Sequence, residues 1–387
     1  MRYEFATAQR IIVGPGTSTE LVGSAGAHGR RAMLVTGSGT AARGGRAAAI
    51  AEALAEAGLI VASYAIAGEP YIGGVEEGAR RARGAGCDLV IGIGGGSVLD
   101  TAKAIAALAT NDGGALEYME VVGAGKPLAR AALPLIAVPT TAGTGSEVTR
   151  NAVIAAPEQR AKASIRHPSL LPRLALVDST LTHDLPPHLT ASSGLDALTQ
   201  LIEPYVSRRS QPIADGLCME GLSRAAWALR RVYYAPEDVV AREAMSSASL
   251  LSGMALANAG LGAVHGIAAP LGGAYPAPHG AACAALLPHV TSVNLRALRR
   301  RHPDGPALAR YARLAAVLVR PGAAPDDLVV ALRELVAELR IPKLATYGLT
   351  EAGIPELAAA AAQASSTRAN PIDLELSEIE EAIGAAL

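Results

Sequence analysis

The stretch LVIGIGGGSVLDTAKAIAALAT, residues 89–110, decides the fold. It opens with a short apolar run, LVIGIG, of the length and composition expected of a strand buried on both faces. Two more glycines follow, and from Ser97 onward the chain is rich in Ala and Leu, both strong helix formers. Strand, glycine turn and helix in that order form the repeating unit of a parallel sheet covered by helices. The same texture lies on either side. RRAMLVT (30–36) leads through Gly-Ser-Gly to the helical AAIAEALAEAG (48–58), and LIVASYAI (59–66) leads to the amphipathic VEEGARRARGAG (75–86). Further apolar runs are LPLIAVPTT (133–141) and LALVDST (174–180). Together they predict an α/β nucleotide-binding layer.

Beyond Leu185 strand-like runs nearly vanish. GLDALTQLIEPYV, GLCMEGLSRAAWALRRVY, VAREAMSSASLLSGMALAN, ALARYARLAAVLV and DLVVALRELVAELR all carry helical spacing, punctuated by Pro or Gly. The boundary is expected near THDLPP (182–187), where two prolines stop any continuous element. The reading is therefore an α/β domain over 1–184 and an all-helical domain over 185–387.

Composition agrees with that division. A chain of 387 residues fits two domains. Hydrophobic residues at 50% and charged residues at 18% exclude disorder, and aromatic residues at 3% leave the cores to Ala, Leu, Val and Ile. A formal net charge of -1, from 34 Lys and Arg against 35 Asp and Glu, argues against a basic groove for nucleic acid. Three scattered cysteines, Cys87, Cys218 and Cys283, suggest a reducing cytoplasm rather than a disulfide framework. Neither a leader peptide nor a membrane span is expected.

Three loops carry candidate nucleotide chemistry. LVTGSGTAA (34–42) formally fits G-x-G-x-x-A, and GIGGGSVLDTAK (92–103) follows the strand quoted above. Either can set backbone N–H groups and a helix N-terminus against a pyrophosphate, and each equally fits a plain tight turn. Asp100 and Lys103 lie in the first turns of the second helix. They could serve the loop, but by spacing alone a helix-start acid and a surface lysine is the simpler reading. The third loop, AVPTTAGTGSEVTRN (137–151), gathers hydroxyls and glycines at the end of an apolar strand.

Read in order, GGGSVLDTAK, PTTAGTGSEVT, GLDALTQLIE and GLGAVHGIAAPLGGAYPAPHG resemble the iron-containing (group III) alcohol dehydrogenase family, a dehydroquinate synthase-like fold. The resemblance covers nearly the whole chain. It implies a Rossmann-like N-terminal parallel-sheet domain, a helical C-terminal domain and NAD- or NADP-dependent chemistry in a cleft between them. It also implies homodimers or larger assemblies. Carried over by residue, Gly95, Gly96 and Ser97 resemble the pyrophosphate loop; Gly37, Ser38 and Asp100 are added as nucleotide candidates from the loops read above. Thr140, Thr141, Thr144 and Thr149 resemble nicotinamide- and phosphate-side contacts, and Lys162 stands where the family has a lysine near the nicotinamide ribose. For a divalent metal, Fe2+ or Zn2+, the implied ligands are Asp196, the residue four positions later, His265 and His279.

Position 200 departs from the family: it is Gln where a His is expected. An amide oxygen is a harder, weaker ligand than imidazole, which leaves a site of lower affinity, a site with Gln200 withdrawn and water in its place, or no metal at all; retained binding is the expectation. Ala269 is a second departure, since many relatives carry there a His proposed to move a proton. A third concerns the nucleotide. VTGSGTAAR lacks the acid that bonds a ribose 2′-OH and has Arg43 nearby, which leans toward acceptance of NADPH. The expected reaction is alcohol–aldehyde or alcohol–ketone interconversion by metal-assisted hydride transfer. The alternatives are a maleylacetate reductase-like reduction of an acidic carbonyl compound and a catalytically weakened nucleotide-binding homologue. No catalytic side chain is assigned.

Overall fold

The structure, a computed structural model, describes residues 2–38 and 46–387, so that Gly39 and Arg43 lie outside the described residues. The chain forms two compact units. One comprises Thr7–Thr141 and Gly145–His183; the other comprises Asp184–Leu387 with Ala142–Thr144 and the stretch ending at Ala6.

The first unit is built on a parallel sheet of six strands: β1 (Ile11–Val13), β2 (Arg31–Gly37), β3 (Ile60–Ile66), β4 (Leu89–Gly94), β5 (Leu135–Pro139) and β8 (Leu174–Val177), in the spatial order β1-β8-β5-β4-β2-β3. The unbroken apolar runs are the central strands. Every residue of β4, β5 and β8 is buried, because helices cover both faces of such a sheet. The covering helices include α1 (Glu20–Ala25), α2 (Arg46–Glu56), α3 (Ile72–Gly84) and α4 (Gly96–Thr110), followed by the short α5 (Ala115–Tyr118). Helix α4 is the central one. Ten of its 15 residues are buried, as its nearly continuous Ala/Leu/Ile composition requires.

Two features depart from the sequence reading. β1 pairs in parallel with β8 at the sheet edge, and β6 (Asn151–Ala156) and β7 (Ala161–Arg166) form a separate antiparallel hairpin. Along β6 the buried residues alternate strictly (Ala152, Ile154, Ala156), a period-2 pattern muted by the low hydrophobicity of alanine. Its tight connection places Arg160 at φ 48, in the left-handed region.

The second unit is helical: α6 (Pro187–Val206), α7 (Pro212–Tyr234), α8 (Val239–Ala259), α9 (Ala263–Ala274), α10 (His279–Arg301), α11 (Pro306–Leu318), α12 (Pro325–Glu338), α13 (Ile354–Gln363) and α14 (Leu376–Ala385). Pro occupies the first helical positions of α6, α7, α11 and α12, where its missing N–H costs no hydrogen bond. One continuous aliphatic core runs through the unit, and α6 sits within it with Leu195, Leu198, Leu201 and Ile202 buried. Among the described residues no single helix is long and apolar enough to cross a membrane.

Candidate nucleotide and metal sites

In the sheet unit the chain runs from β2 outward to β3, then returns to lay β4 on the other side of β2. The crevice at the carboxyl ends of β2 and β4 is thus a topological switch point, the place where open α/β sheets bind ligands. Thr36 pairs with Ile93, so the Gly37–Ser38 end and the Gly94–Gly95–Gly96–Ser97 turn emerge side by side. Ser38 N–H donates to the Ile66 carbonyl, anchoring the first of them. A side chain at Gly95 would crowd the Thr141 methyl, 3.1 Å from the Cβ position, so Thr141 would have to give way slightly. Next to these ends is a mainly apolar cavity of about 280 Å³, lined by Thr36, Ile50, Ile93, Val138, Thr140 and Leu181 among others. Its wall is held by Asp178, whose carboxylate accepts from the Gly16 and Ser18 amides, the Ser18 hydroxyl, and the Thr180 amide and hydroxyl. Burial opposes ionisation of Asp178, but these donors outweigh it and hold the carboxyl below its usual range.

Lys103 is not a surface lysine; it is fully buried. Its ammonium donates to Ser146 Oγ at 2.9 Å, Thr149 Oγ1 at 2.8 Å and the Asn151 carbonyl at 3.0 Å, satisfying all three of its protons. Asp100, one turn earlier, accepts from the Ser146 hydroxyl at 2.6 Å and the Val153 amide at 3.0 Å. The pair therefore fastens α4 to the Ser/Thr loop and the hairpin. Burial brings Lys103 down to about 8, against the pull of Asp100 and Glu147, and pushes the buried Glu147 up to about 7. Thr149 is committed inside this network. Thr144 belongs to the segment grouped with the helical unit, and Lys162, on β7, pairs with Glu69 at 3.6 Å.

The helical unit gathers the other set of candidates. Asp196, Gln200 and Glu203 occupy successive turns of one buried face of α6. His265 comes from the first turn of α9, and His279 is the first residue of α10. Asp196 Oδ1 lies 3.3 Å from His265 Nε2 and 3.9 Å from His279 Nε2. Cys283, one turn along α10, sets its Sγ 3.7 Å from His279 Nε2. One ligand atom from each of these four residues lies within 4.8 Å of every other. The approach of α10 to α6 depends on Gly280, where a Cβ would meet the Ser192 carbonyl at 2.6 Å.

These side chains fit a cation. Asp196 Oδ1 and His265 Nε2 are buried and lack a hydrogen-bond partner, an arrangement that is costly unless something else engages both. Ligands around a tetrahedral Zn2+ lie roughly 3.3–3.8 Å apart, close to the separations seen here. His265 is held from behind. Its Nδ1 is 2.6 Å from Glu203 Oε2, while Glu203 Oε1 accepts the Val264 amide at 2.7 Å. A carboxylate there keeps the proton on Nδ1 and leaves the Nε2 lone pair facing Asp196. The raised imidazole values mean protons that a cation must displace on binding. Burial disfavours charge on Asp196, yet His279 and His265 hold its carboxyl below the usual range. His279 is pushed up to about 9 by the Cys283 sulfur, against burial and with Asp196 assisting. For His265, burial is outweighed by Cys283, Asp196 and Glu203, and its pKa stands well above the usual range.

Gln200 is placed differently from the other three implied ligands. Its amide nitrogen donates to Asp196 Oδ2 at 3.0 Å, and its Oε1 accepts from the Ser252 hydroxyl of α8 at 2.8 Å. The carboxylate fixes that amide orientation, because the reverse would set two acceptors face to face. Glu203 and Cys283 were not singled out from the sequence. Their signals were present as the i+7 position from Asp196 and the i+4 position from His279.

A sheet unit with paired glycine turns at a switch point, and a helical unit with convergent carboxylate, imidazole and thiol groups, suit a nucleotide-dependent oxidoreductase of the metal-assisted kind. The sequence pattern of the iron-containing alcohol dehydrogenases matches residues 8–179, and that of the C-terminal part of the Fe-containing alcohol dehydrogenase family matches residues 190–387. The probable alcohol dehydrogenase EutG of Escherichia coli K12 is 35% identical over 99% of this chain and 94% of its own length. The 1,3-propanediol dehydrogenase of Klebsiella pneumoniae is 36% identical over 89% of this chain and 88% of its own. Among solved structures, an archaeal halo-thermophilic alcohol dehydrogenase from a Red Sea brine pool superposes with a TM-score of 0.93 at 30% identity, covering 100% of this chain and 99% of that one. The chain belongs to the iron-containing alcohol dehydrogenase family, and its reaction is that of an NAD(P)-dependent alcohol dehydrogenase.

Proposed function

We propose that the protein interconverts a small alcohol and its aldehyde or ketone, accepts NADP(H) as well as NAD(H), and uses Fe2+ or Zn2+ held by Asp196, His265 and His279. The observation that carries this reading is the pair of buried ligand atoms on Asp196 and His265, which face each other at 3.3 Å without forming a hydrogen bond. A divalent cation there supplies Lewis-acid stabilisation of negative charge on the alcohol oxygen, worth several kcal/mol, and a bound nicotinamide supplies the hydride acceptor. The protein's own part is placement. Glu203 holds the His265 proton on Nδ1, Gln200 orients Asp196, and the aliphatic core around α6 keeps water from those groups.

On the sheet unit, the Gly95–Ser97 turn and the N-terminus of α4 offer amides to a pyrophosphate, with Gly37, Ser38, Thr140 and Thr141 beside it. No carboxylate stands at Gly37 or Ser38 to repel a 2′-phosphate. A sulfoacetaldehyde reductase from Bifidobacterium kashiwanohense in complex with NAD+ shares the fold, with a TM-score of 0.86 at 27% identity, which supports a nicotinamide nucleotide as the ligand. The names of the two curated relatives support an alcohol or a small diol as substrate. A cytoplasmic setting is supported by three free cysteines, and a homodimer or larger assembly by the family resemblance and the open edge of β1.

Initial rates with NADPH and NADH across a panel of short alcohols, diols, their aldehydes and one anionic carbonyl compound test the reading. Hydride transfer with both nucleotides on the uncharged substrates is expected. Strict use of NADH defeats the cofactor reading, and a metal-loaded protein that transfers no hydride to any of them defeats the whole.

A further inference from the structure

We propose that Cys283 is the fourth protein ligand of the cation, and that Gln200, at the position where the resemblance leads one to expect a ligand, instead positions Asp196. The proposal rests on the metal-dependent reading above. The convergence of Asp196, His265, His279 and Cys283 within 4.8 Å is a property of four side chains from three helices. Gln200 turns its amide N–H toward the Asp196 carboxylate, and a donor hydrogen cannot bind a cation. Its oxygen is engaged by Ser252 on the far side.

Cys283 has the opposite disposition. The residue is fully buried on α10, one turn from His279 and on the same face, with its sulfur turned to the imidazole Nε2. The two buried atoms that lack a hydrogen bond, Asp196 Oδ1 and His265 Nε2, belong to the same cluster. Binding releases the thiol proton to solvent and leaves a thiolate in the coordination sphere. One carboxylate and one thiolate then balance the dication, whereas a carboxylate with three neutral imidazoles leaves a net positive charge. The sulfur also changes the metal preferred. Thiolate favours Zn2+ and Co2+ over the oxygen-seeking Mg2+ and Mn2+, and Zn2+ lies above Fe2+ in the general affinity order.

The experiment loads the full-length protein with Co2+ and compares it with Cys283→Ser and Gln200→Ala. A thiolate-to-cobalt charge-transfer band in the near ultraviolet is expected in the unaltered protein and in Gln200→Ala, and is expected to vanish in Cys283→Ser. Chelator competition is expected to show Gln200→Ala weakened by about 10–100-fold, the usual effect of losing an outer partner, and Cys283→Ser weakened further. Zinc-edge X-ray absorption on the unaltered protein needs no variant, and one sulfur neighbour at about 2.3 Å is expected. Cobalt d–d bands without the charge-transfer band, or a zinc shell of nitrogen and oxygen alone, overturn the Cys283 assignment and leave metal dependence standing. A protein that takes up neither metal overturns both.

Discussion

Replacing Glu203 by Gln tests how the protein prepares His265. The two residues have the same shape, so packing within α6 is kept, but the chemistry facing His265 changes. The carboxylate accepts two hydrogen bonds, from His265 Nδ1–H and the Val264 amide. An amide has one oxygen to offer. If that oxygen stays on Val264, the NH2 group faces Nδ1 and can bond only to its lone pair, which moves the imidazole proton to Nε2. That atom is the one aimed at Asp196, 3.3 Å away, and once protonated it cannot hold a cation. If the amide turns the other way, two N–H donors face each other in a buried site. Either outcome lowers metal affinity. Loss of such an outer partner generally costs about 10–100-fold, or roughly 1.4–2.7 kcal/mol. The assay is zinc affinity by chelator competition, with circular dichroism showing that the fold is retained. A well-folded Glu203→Gln variant with unaltered zinc affinity would refute the idea that Glu203 sets the tautomer.

Three further outcomes follow from other parts of the molecule. Gly280→Ala sets a methyl against the Ser192 carbonyl, so α10 must shift from α6; a stability loss of about 1–3 kcal/mol and weaker metal binding are expected from calorimetry and chelator competition, and an unchanged melting temperature contradicts the close approach. Lys103→Met leaves Ser146, Thr149 and the Asn151 carbonyl without their donor and the buried acids uncompensated, for a loss of about 3–5 kcal/mol, read by thermal unfolding. Glu147 is raised to about 7, so the folded state holds more protons than the unfolded one between its ordinary value near 4.5 and about 7, and stability contributed by the protonated form is lost as pH rises through that window. Glu147→Gln removes this dependence, and its stability relative to the unaltered protein is expected to improve by up to roughly 3 kcal/mol from pH 4 to pH 8; a difference independent of pH, in paired unfolding scans, contradicts the buried acid.

Much of the fold was legible because its determinants are local. LVIGIG and LIAVP are strands because an apolar run of that length, bounded by glycine or proline, suits a strand covered on both sides. The change of texture near Leu185 was equally plain. The β6–β7 hairpin was missed because alanines at Ala152 and Ala156 carry the buried face, with hardly more hydrophobic contrast than a loop. Lys103 was misread for a different reason: three hydroxyl and carbonyl acceptors, 43 to 48 residues away, make its burial possible, and no local pattern reveals them.

Sequence alone thus determined most of the elements, their α/β and all-helical division and, through ordered motifs, the family, and it named Asp196, His265 and His279 as metal candidates, since periodicity and turn chemistry depend on near neighbours. Tertiary structure decided which atoms face which. It put β4 beside β2 so that two glycine turns share one crevice, turned the Gln200 amide toward Asp196, and brought the Cys283 sulfur to His279. The last two choices belong to the packing of α6, α8, α9 and α10 against one another, where one buried carboxylate or one glycine fixes the orientation of a side chain many residues distant.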